Sequence, residues 1–319
     1  MASISRNRWT PWPGQPYQRD GLEETPSSNR SGGETGRSIG LVGENVKPFR
    51  WNVAKREQLG RLLTNTYDGA YWWRQDEFQQ CCAKVLACSG DRRLFFVGRS
   101  LESMFDYLSG ALCDTSWADR LNLFLFSMRF TQVERPALNA MRDYMRELSL
   151  DPPSIARSAV ALTDLVWSGE TFSNVIGLLR DWCDESGVDW QAVRRNMRIV
   201  GVTSRTKTSP NTWRWQQHSE AVRSLPTSAV KNVSLERRLW SYLGDTQAKV
   251  TAGYNPRRWG DEDVTHPDHN KTNLTGLQEA WYIFEDGRTP ESRRSLARAM
   301  TQTTGMQHEW FRHLLGEIK

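Results

Sequence analysis

The sequence predicts an α/β protein, a parallel sheet flanked by helices, followed by a mainly α-helical, basic C-terminal region. Three observations lead there. Short apolar runs recur at 94–97, 121–127, 159–163 and 198–203, each the length of a buried strand. Between them the apolar residues repeat at helical spacing, and strands alternating with helices specify parallel strands joined by right-handed crossovers. Beyond Arg205 this alternation stops, and Lys, Arg and Trp accumulate instead.

Taken in order, residues 1–48 read as a flexible N-terminal arm, rich in Pro, Gly, Ser, Arg and Glu. Such a segment buries too little apolar area to offset its ordering entropy. Trp9, Trp12 and Tyr17 leave open the other reading, an arm ordered on a partner. A short helix is expected over Val53–Leu63, with Leu59, Leu62 and Leu63 on one side. A second covers Glu77–Ala87, carrying Phe78, Cys81, Cys82, Val85 and Leu86. Strand 94–97 then runs straight into Gly98-Arg99-Ser100. Gly98 lets the backbone turn at the strand end, and Arg99 offers a forked cation at the same edge, or else pairs with Glu102.

The next helix shows Leu101, Met104, Phe105, Leu108 and Leu112 at core spacing. Strand 121–127 follows, then a helix over 134–148 with Leu138, Met141, Met145 and Leu148 inward. Pro152-Pro153 closes that helix. Ala159-Val160-Ala161-Leu162 is a buried strand leading to Asp164. Ser168, Gly169, Glu170 and Thr171 form a polar loop, and Phe172, Val175, Ile176, Leu179 and Cys183 mark one face of a helix over 172–186. A loop between a strand and a helix N-terminus gathers backbone N–H groups and the positive end of the helix dipole, which together suit a phosphate. A short helix over Trp190–Asn196, a strand over 198–203, and tail helices at 276–284 and 291–300 complete the reading.

The stretch Thr163-Asp164-Leu165-Val166-Trp167-Ser168-Gly169-Glu170-Thr171 resembles the phosphoribosyl-pyrophosphate (PRPP) signature of type I phosphoribosyltransferases. There, four apolar residues lead into two acidic ones, then two or three mostly apolar residues, then a Thr/Ser-Thr/Ser-Gly-x-Thr loop. Thr163 departs from the pattern, standing where the family has its first acidic residue. The resemblance implies a divergent phosphoribosyltransferase-like core over 49–205, with 206–319 as a basic, Trp-rich, mainly helical C-terminal region. It implies that Ser168, Gly169, Glu170 and Thr171 hold a 5′-phosphate, with Thr163 and Asp164 at the ribose hydroxyls. Gly98, Arg99 and Ser100 would face pyrophosphate. Asp164 and Arg99 would be the residues that matter to turnover, and Asp164 would meet Mg²⁺ only indirectly, through Mg²⁺-PRPP. Gly169→Val would then block the ligand with little loss of fold.

Composition sets the outer limits. The chain has 319 residues, net charge +5 and fifteen tryptophans spread along its length. Its pI is about 9.0. Five cysteines in no secreted-type pattern read as reduced thiols of a cytoplasmic protein, and no apolar run is long enough to span a membrane. Residues 205–260 carry ten Lys/Arg against three acids, interleaved with Trp213, Trp215, Trp240 and Trp259. That pattern suits a nucleic-acid backbone, or a protein partner covered by arginines and packed aromatics. Asp261, Glu262, Asp263, His266, Asp268 and His269 read as a solvated turn, since they share no helical register. Two functions stay open. One is an enzyme that transfers a (phospho)ribosyl group from PRPP to a nitrogenous acceptor. The other is a PRPP- or nucleotide-sensing or nucleic-acid/protein-interaction module, as an effector in a nucleoprotein assembly. A homo-oligomer is compatible with both.

Overall fold

A computed structural model describes residues 50–63, 67–127, 133–205, 215–254, 258–259, 261, 263–264, 267 and 269–319. The arm over 1–48 and the Trp213-Arg214 pair lie outside the described residues. Five strands form one parallel sheet: β1 (Arg93–Val97), β2 (Leu121–Phe124), β3 (Val160–Val166), β4 (Met197–Ser204) and β5 (Val230–Leu235). Their order is β2-β1-β3-β4-β5. The four apolar segments read from the sequence all belong to this sheet.

Both faces of the sheet are covered, which is why its strands read as unbroken apolar runs. In β1, Leu94 and Phe96 join one core, while Phe95 and Val97 point into the other. The first core is closed by α2 (Asp76–Ser89), α3 (Glu102–Ala111) and α10 (Arg237–Ser241), together with three C-terminal helices, α11 (Lys271–Gly287), α12 (Pro290–Thr301) and α13 (Glu309–Ile318). The second is closed by α4 (Arg135–Glu147), α5 (Pro152–Arg157), α6 (Glu170–Ser186), α7 (Trp190–Asn196) and the short helices α8 (Trp215–His218) and α9 (Glu220–Arg223).

Three local differences from the sequence reading have physical reasons. The helix at 53–63 is only α1 (Arg56–Leu59) plus a 3₁₀ turn, because Gly60 takes a positive φ of 47° and breaks it. Pro152-Pro153 does not only end a helix; it starts α5, where Pro is tolerated at the first turn, and the Asp151 side chain caps the Ser154 N–H at 3.1 Å. The alternation of strands and helices also does not stop at Arg205. β5 pairs parallel with β4 from Ile199↔Val230 to Ser204↔Leu235, so a segment read as helical tail is the sheet's edge strand. Only Val233 and Leu235 of β5 are fully buried, and Lys231, Asn232 and Ser234 dilute its apolar pattern. Residues 45–319 accordingly make one compact unit.

Candidate functional site

The order β2-β1-β3-β4-β5 contains one reversal. From β1 the chain crosses outward to β2, and from β3 onward it proceeds the other way through β4 to β5. In an open parallel sheet the crevice between loops that leave in opposite directions is where ligands bind. Here that crevice lies between β1 and β3, which pair from Arg93↔Val160 to Phe96↔Thr163. Gly98, Arg99 and Ser100 leave the carboxyl end of β1, and Trp167, Ser168 and Gly169 leave that of β3 before α6 begins at Glu170. The structure thus brings both sequence-read loops to one edge.

Inside that edge the acidic position behaves differently from a solvated carboxylate. β3 continues to Val166, so Asp164 sits within the strand and is buried. Burial pushes its carboxyl up to about 8, against the pull of hydrogen bonds from the Leu165 N–H and the Thr171 hydroxyl and of the Lys249 charge. The Leu165 N–H lies 2.7 Å from Oδ1. Burial therefore favours the protonated form of Asp164, and Thr171 serves it as a partner. Thr163 is fully buried on the other face, and its hydroxyl donates to the Val200 carbonyl at 2.9 Å, inside the sheet. Thr163 faces the packed interior, away from the loop edge where a ribose would sit.

Gly169 caps α6 with φ 81°, and its neighbour is an indole. A Cβ there would overlap the Trp215 ring, with Cζ3 only 2.9 Å away. Trp215 is held by its Nε1–H donating to Asn232 Oδ1 at 2.8 Å, and it also lies against Gly201. Gly169 is thus required by packing, which corrects the expectation that Gly169→Val spares the fold. That variant is expected to lose roughly 1–3 kcal/mol from strain and overpacking. Its urea midpoint should drop accordingly, and an unchanged midpoint would show that Trp215 is free to move.

A second wall is the segment Lys249–Tyr254, which crosses the ends of β1 and β2. Arg99 Nη1 donates to the Thr251 carbonyl at 2.9 Å, and the Ser127 N–H donates to the Tyr254 carbonyl at 3.2 Å. Glu102 Oε1 accepts the Val250 N–H at 3.1 Å. Lys249 is half-buried, its Nζ donating at 2.8 Å to both the Leu243 carbonyl and Gln247 Oε1. Burial lowers its ammonium to about 8, partly offset by the Glu102 charge. Burial thus acts on two ionisable groups at one sheet edge, raising Asp164 and lowering Lys249.

The outer rim is aromatic and basic. Trp167 is 79 % exposed, although a large apolar side chain is rarely left so open. Its ring centroid lies 5.9 Å from that of Trp240, which is fixed by an Nε1–H donated to the Val202 carbonyl at 3.1 Å. Arg237 and Arg238, on the turn preceding Trp240, are exposed. Thr251 has no local sequence signal, and Trp215, Trp240 and Lys249 are marked only as members of the basic, aromatic stretch; nothing local places them at this edge, because each reaches it from a different element.

The other basic residues of 205–260 do not form one solvated stripe. Arg205 pairs with Glu77 at 2.6 Å, and Arg258 lies 5.1 Å over the Tyr254 ring. Lys207, Arg214 and Arg257 fall outside the described residues. In the Asp261–His269 loop the Asp263 N–H donates to Asp261 Oδ1 at 3.0 Å and His269 meets Trp51 edge-on; Glu262, His266 and Asp268 are outside the described residues. Among the described residues no group of three His, Cys, Asp or Glu side chains is placed to hold a metal ion, and no helix is long and apolar enough to cross a membrane. No family model, curated protein or solved structure matches this chain, so the reading of its site rests on these residues alone.

Proposed function

We propose that this chain binds PRPP or a 5′-nucleotide at the β1–β3 edge, as a phosphoribosyltransferase-like protein. The observation that carries the reading is the reversal of strand order, which gathers Gly98-Arg99-Ser100 and the Ser168–Thr171 loop at one place. The amides opening α6, a helix of 17 residues, supply donors and a positive dipole end for a 5′-phosphate. Arg99 and Ser100 face the position of pyrophosphate. In transfer, the ribose C1–O bond to pyrophosphate breaks, a bond from C1 to the acceptor nitrogen forms, and the acceptor's proton is released to the site. The departing pyrophosphate, a multivalent anion, can take that proton. Burial favours the protonated form of Asp164, and among the described residues no group of three His, Cys, Asp or Glu side chains is placed to hold a metal ion, so Mg²⁺ would enter as part of Mg²⁺-PRPP.

One observation favours a second reading, a sensor that binds without turnover. Thr163 holds the place of a carboxylate but spends its hydroxyl on Val200, and Asp164 is buried. Calorimetric titration of PRPP, with and without Mg²⁺, tests binding, and pyrophosphate release in the presence of a pool of bases separates enzyme from sensor. If neither PRPP nor a 5′-nucleotide binds at millimolar ligand, both readings fall. Trp167 adds a finer expectation. Stacking of a base on an exposed aromatic contributes about 1–3 kcal/mol, so Trp167→Ala should weaken a 5′-nucleotide roughly ten- to hundredfold and leave PRPP, which has no base, unchanged. Equal loss for both ligands would show a structural role for Trp167.

A further inference from the structure

At the opposite, amino edge of the sheet, we propose a second anion site, in which Arg92, Arg198 and Lys231 bind a phosphate group. Arg198 is the second residue of β4 and Lys231 the second of β5. The register Val200↔Lys231 sets them diagonally on one face, the face that packs against α2. α2 ends above them at Ser89, and Gly90 turns the chain with φ 70° toward Arg92.

The guanidinium ends of Arg92 and Arg198 converge there. Their Nη1 atoms lie 2.5 and 2.7 Å from the point a Cβ of residue 90 would occupy, so both guanidinium ends reach the same place beside Gly90, whose φ of 70° itself favours glycine. Both side chains are half-buried, and the Nε of each is buried with no hydrogen-bond partner among the described residues. The adjacent carboxylate, Asp91, is ion-paired to Arg120. Burial and the Arg198 charge lower Arg92, with only Asp91 acting the other way.

The carboxyl end of α2 accounts for part of this arrangement. Arg198 Nη1 donates to the Cys88 carbonyl at 3.2 Å, where the helix dipole favours a cation. That contact leaves the Arg92 guanidinium and the Lys231 ammonium without an acceptor among the described residues. Lys231 is close enough, with Arg198, for its charge to act on the Cys88 thiol. Arg92 and Arg198 converge and repel one another, Lys231 stands on the same face beside Cys88, and the one carboxylate acting on Arg92, Asp91, is shared with Arg120; a bound multivalent anion relieves that repulsion. A phosphate fits: its oxygens accept from several directions, and guanidinium forks bind it in pairs. The group can come from a free phosphate monoester or from the diester backbone of a nucleic acid.

The test titrates inorganic phosphate, at ionic strength held constant with chloride, into the full chain carrying Ser168→Glu. That change places a carboxylate where the other sheet edge would hold phosphate, so the two sites report separately. The chain is expected to bind phosphate, and adding Arg92→Gln with Lys231→Gln should weaken it about ten- to hundredfold. Without phosphate the added changes should leave the melting temperature the same or higher, because repulsion is removed. A short RNA with and without a 5′-phosphate distinguishes the sources: the monoester requires the 5′-phosphate, whereas the diester does not and loses salt dependence in the variant. No phosphate binding, an affinity unchanged by the two substitutions, or a lower melting temperature without phosphate would each overturn the site.

Discussion

Arg50→Met is expected to destabilise the fold by about 3–5 kcal/mol, the usual cost of leaving buried charges without their partner. The Arg50 guanidinium is buried and reaches Asp106 Oδ2 at 2.6 Å and Glu102 Oε2 at 3.4 Å. Burial opposes its charge, yet Asp106 and Glu102 together hold it above its ordinary value. Methionine fills much of the same volume but leaves two carboxyl groups facing each other on α3. Burial already pushes Asp106 up to about 7 even with Arg50 beside it. Without Arg50 the Asp106 carboxyl is driven further toward protonation, so the loss should be greatest at pH 8 and shrink toward pH 5, where a proton replaces the lost cation. Chemical unfolding of parent and variant at the two pH values measures this. A loss below about 1 kcal/mol at pH 8 would place the pair among weak surface-type bridges. The effect also reaches the candidate site, because Glu102 holds the Val250 N–H and the same segment holds Arg99 through Thr251. Ligand affinity should therefore fall with stability.

Asp164→Asn is expected to change how stability depends on pH. The folded carboxyl is raised to about 8 from an ordinary value of 3.8. Between those values the folded state keeps a proton that the unfolded chain has released, so stability falls as pH rises through that window, by up to about 1.4 kcal/mol per pH unit. Asparagine is neutral and nearly isosteric with the protonated acid, and its oxygen can still accept the Leu165 N–H. The variant should match the parent near pH 4 and exceed it increasingly toward pH 8, by roughly 2–3 °C in melting temperature per pH unit. Asp106 contributes a slope of the same sign up to about pH 7, but it does so in both proteins and cancels in the difference. Lys249, lowered to about 8, acts the other way and only above that value. A parent-minus-variant difference that stays flat from pH 4 to 8 would mean that Asp164 is ionised in the fold.

Much of the sheet was legible because a buried parallel strand has no polar face to spare. Leu94–Val97 and Ala161-Leu162 must be apolar on both sides, and a local run of such residues has few alternatives. β5 was not legible for the converse reason. As an edge strand it buries only Val233 and Leu235 completely, and its remaining residues resemble those of a solvated segment. Gly98-Arg99-Ser100 and Ser168-Gly169 were readable as turns, since Gly and small hydroxylic residues interrupt apolar periodicity where the chain turns; Glu170 and Thr171, read with the loop, open α6. The distance between the two turns was not readable, because it depends on which strands become neighbours.

By itself, then, the sequence determined an α/β chain with two polar turns at strand ends, since periodicity and turn chemistry are local properties of successive residues. Only the tertiary structure decided that β1 and β3 are neighbours, that Trp215 occupies the space beside Gly169, and that Asp164 is buried. It also set the converging cations at Gly90. Each of these depends on groups from distant parts of the chain meeting in a low-dielectric interior, where burial and a few neighbouring charges override the properties a residue has alone.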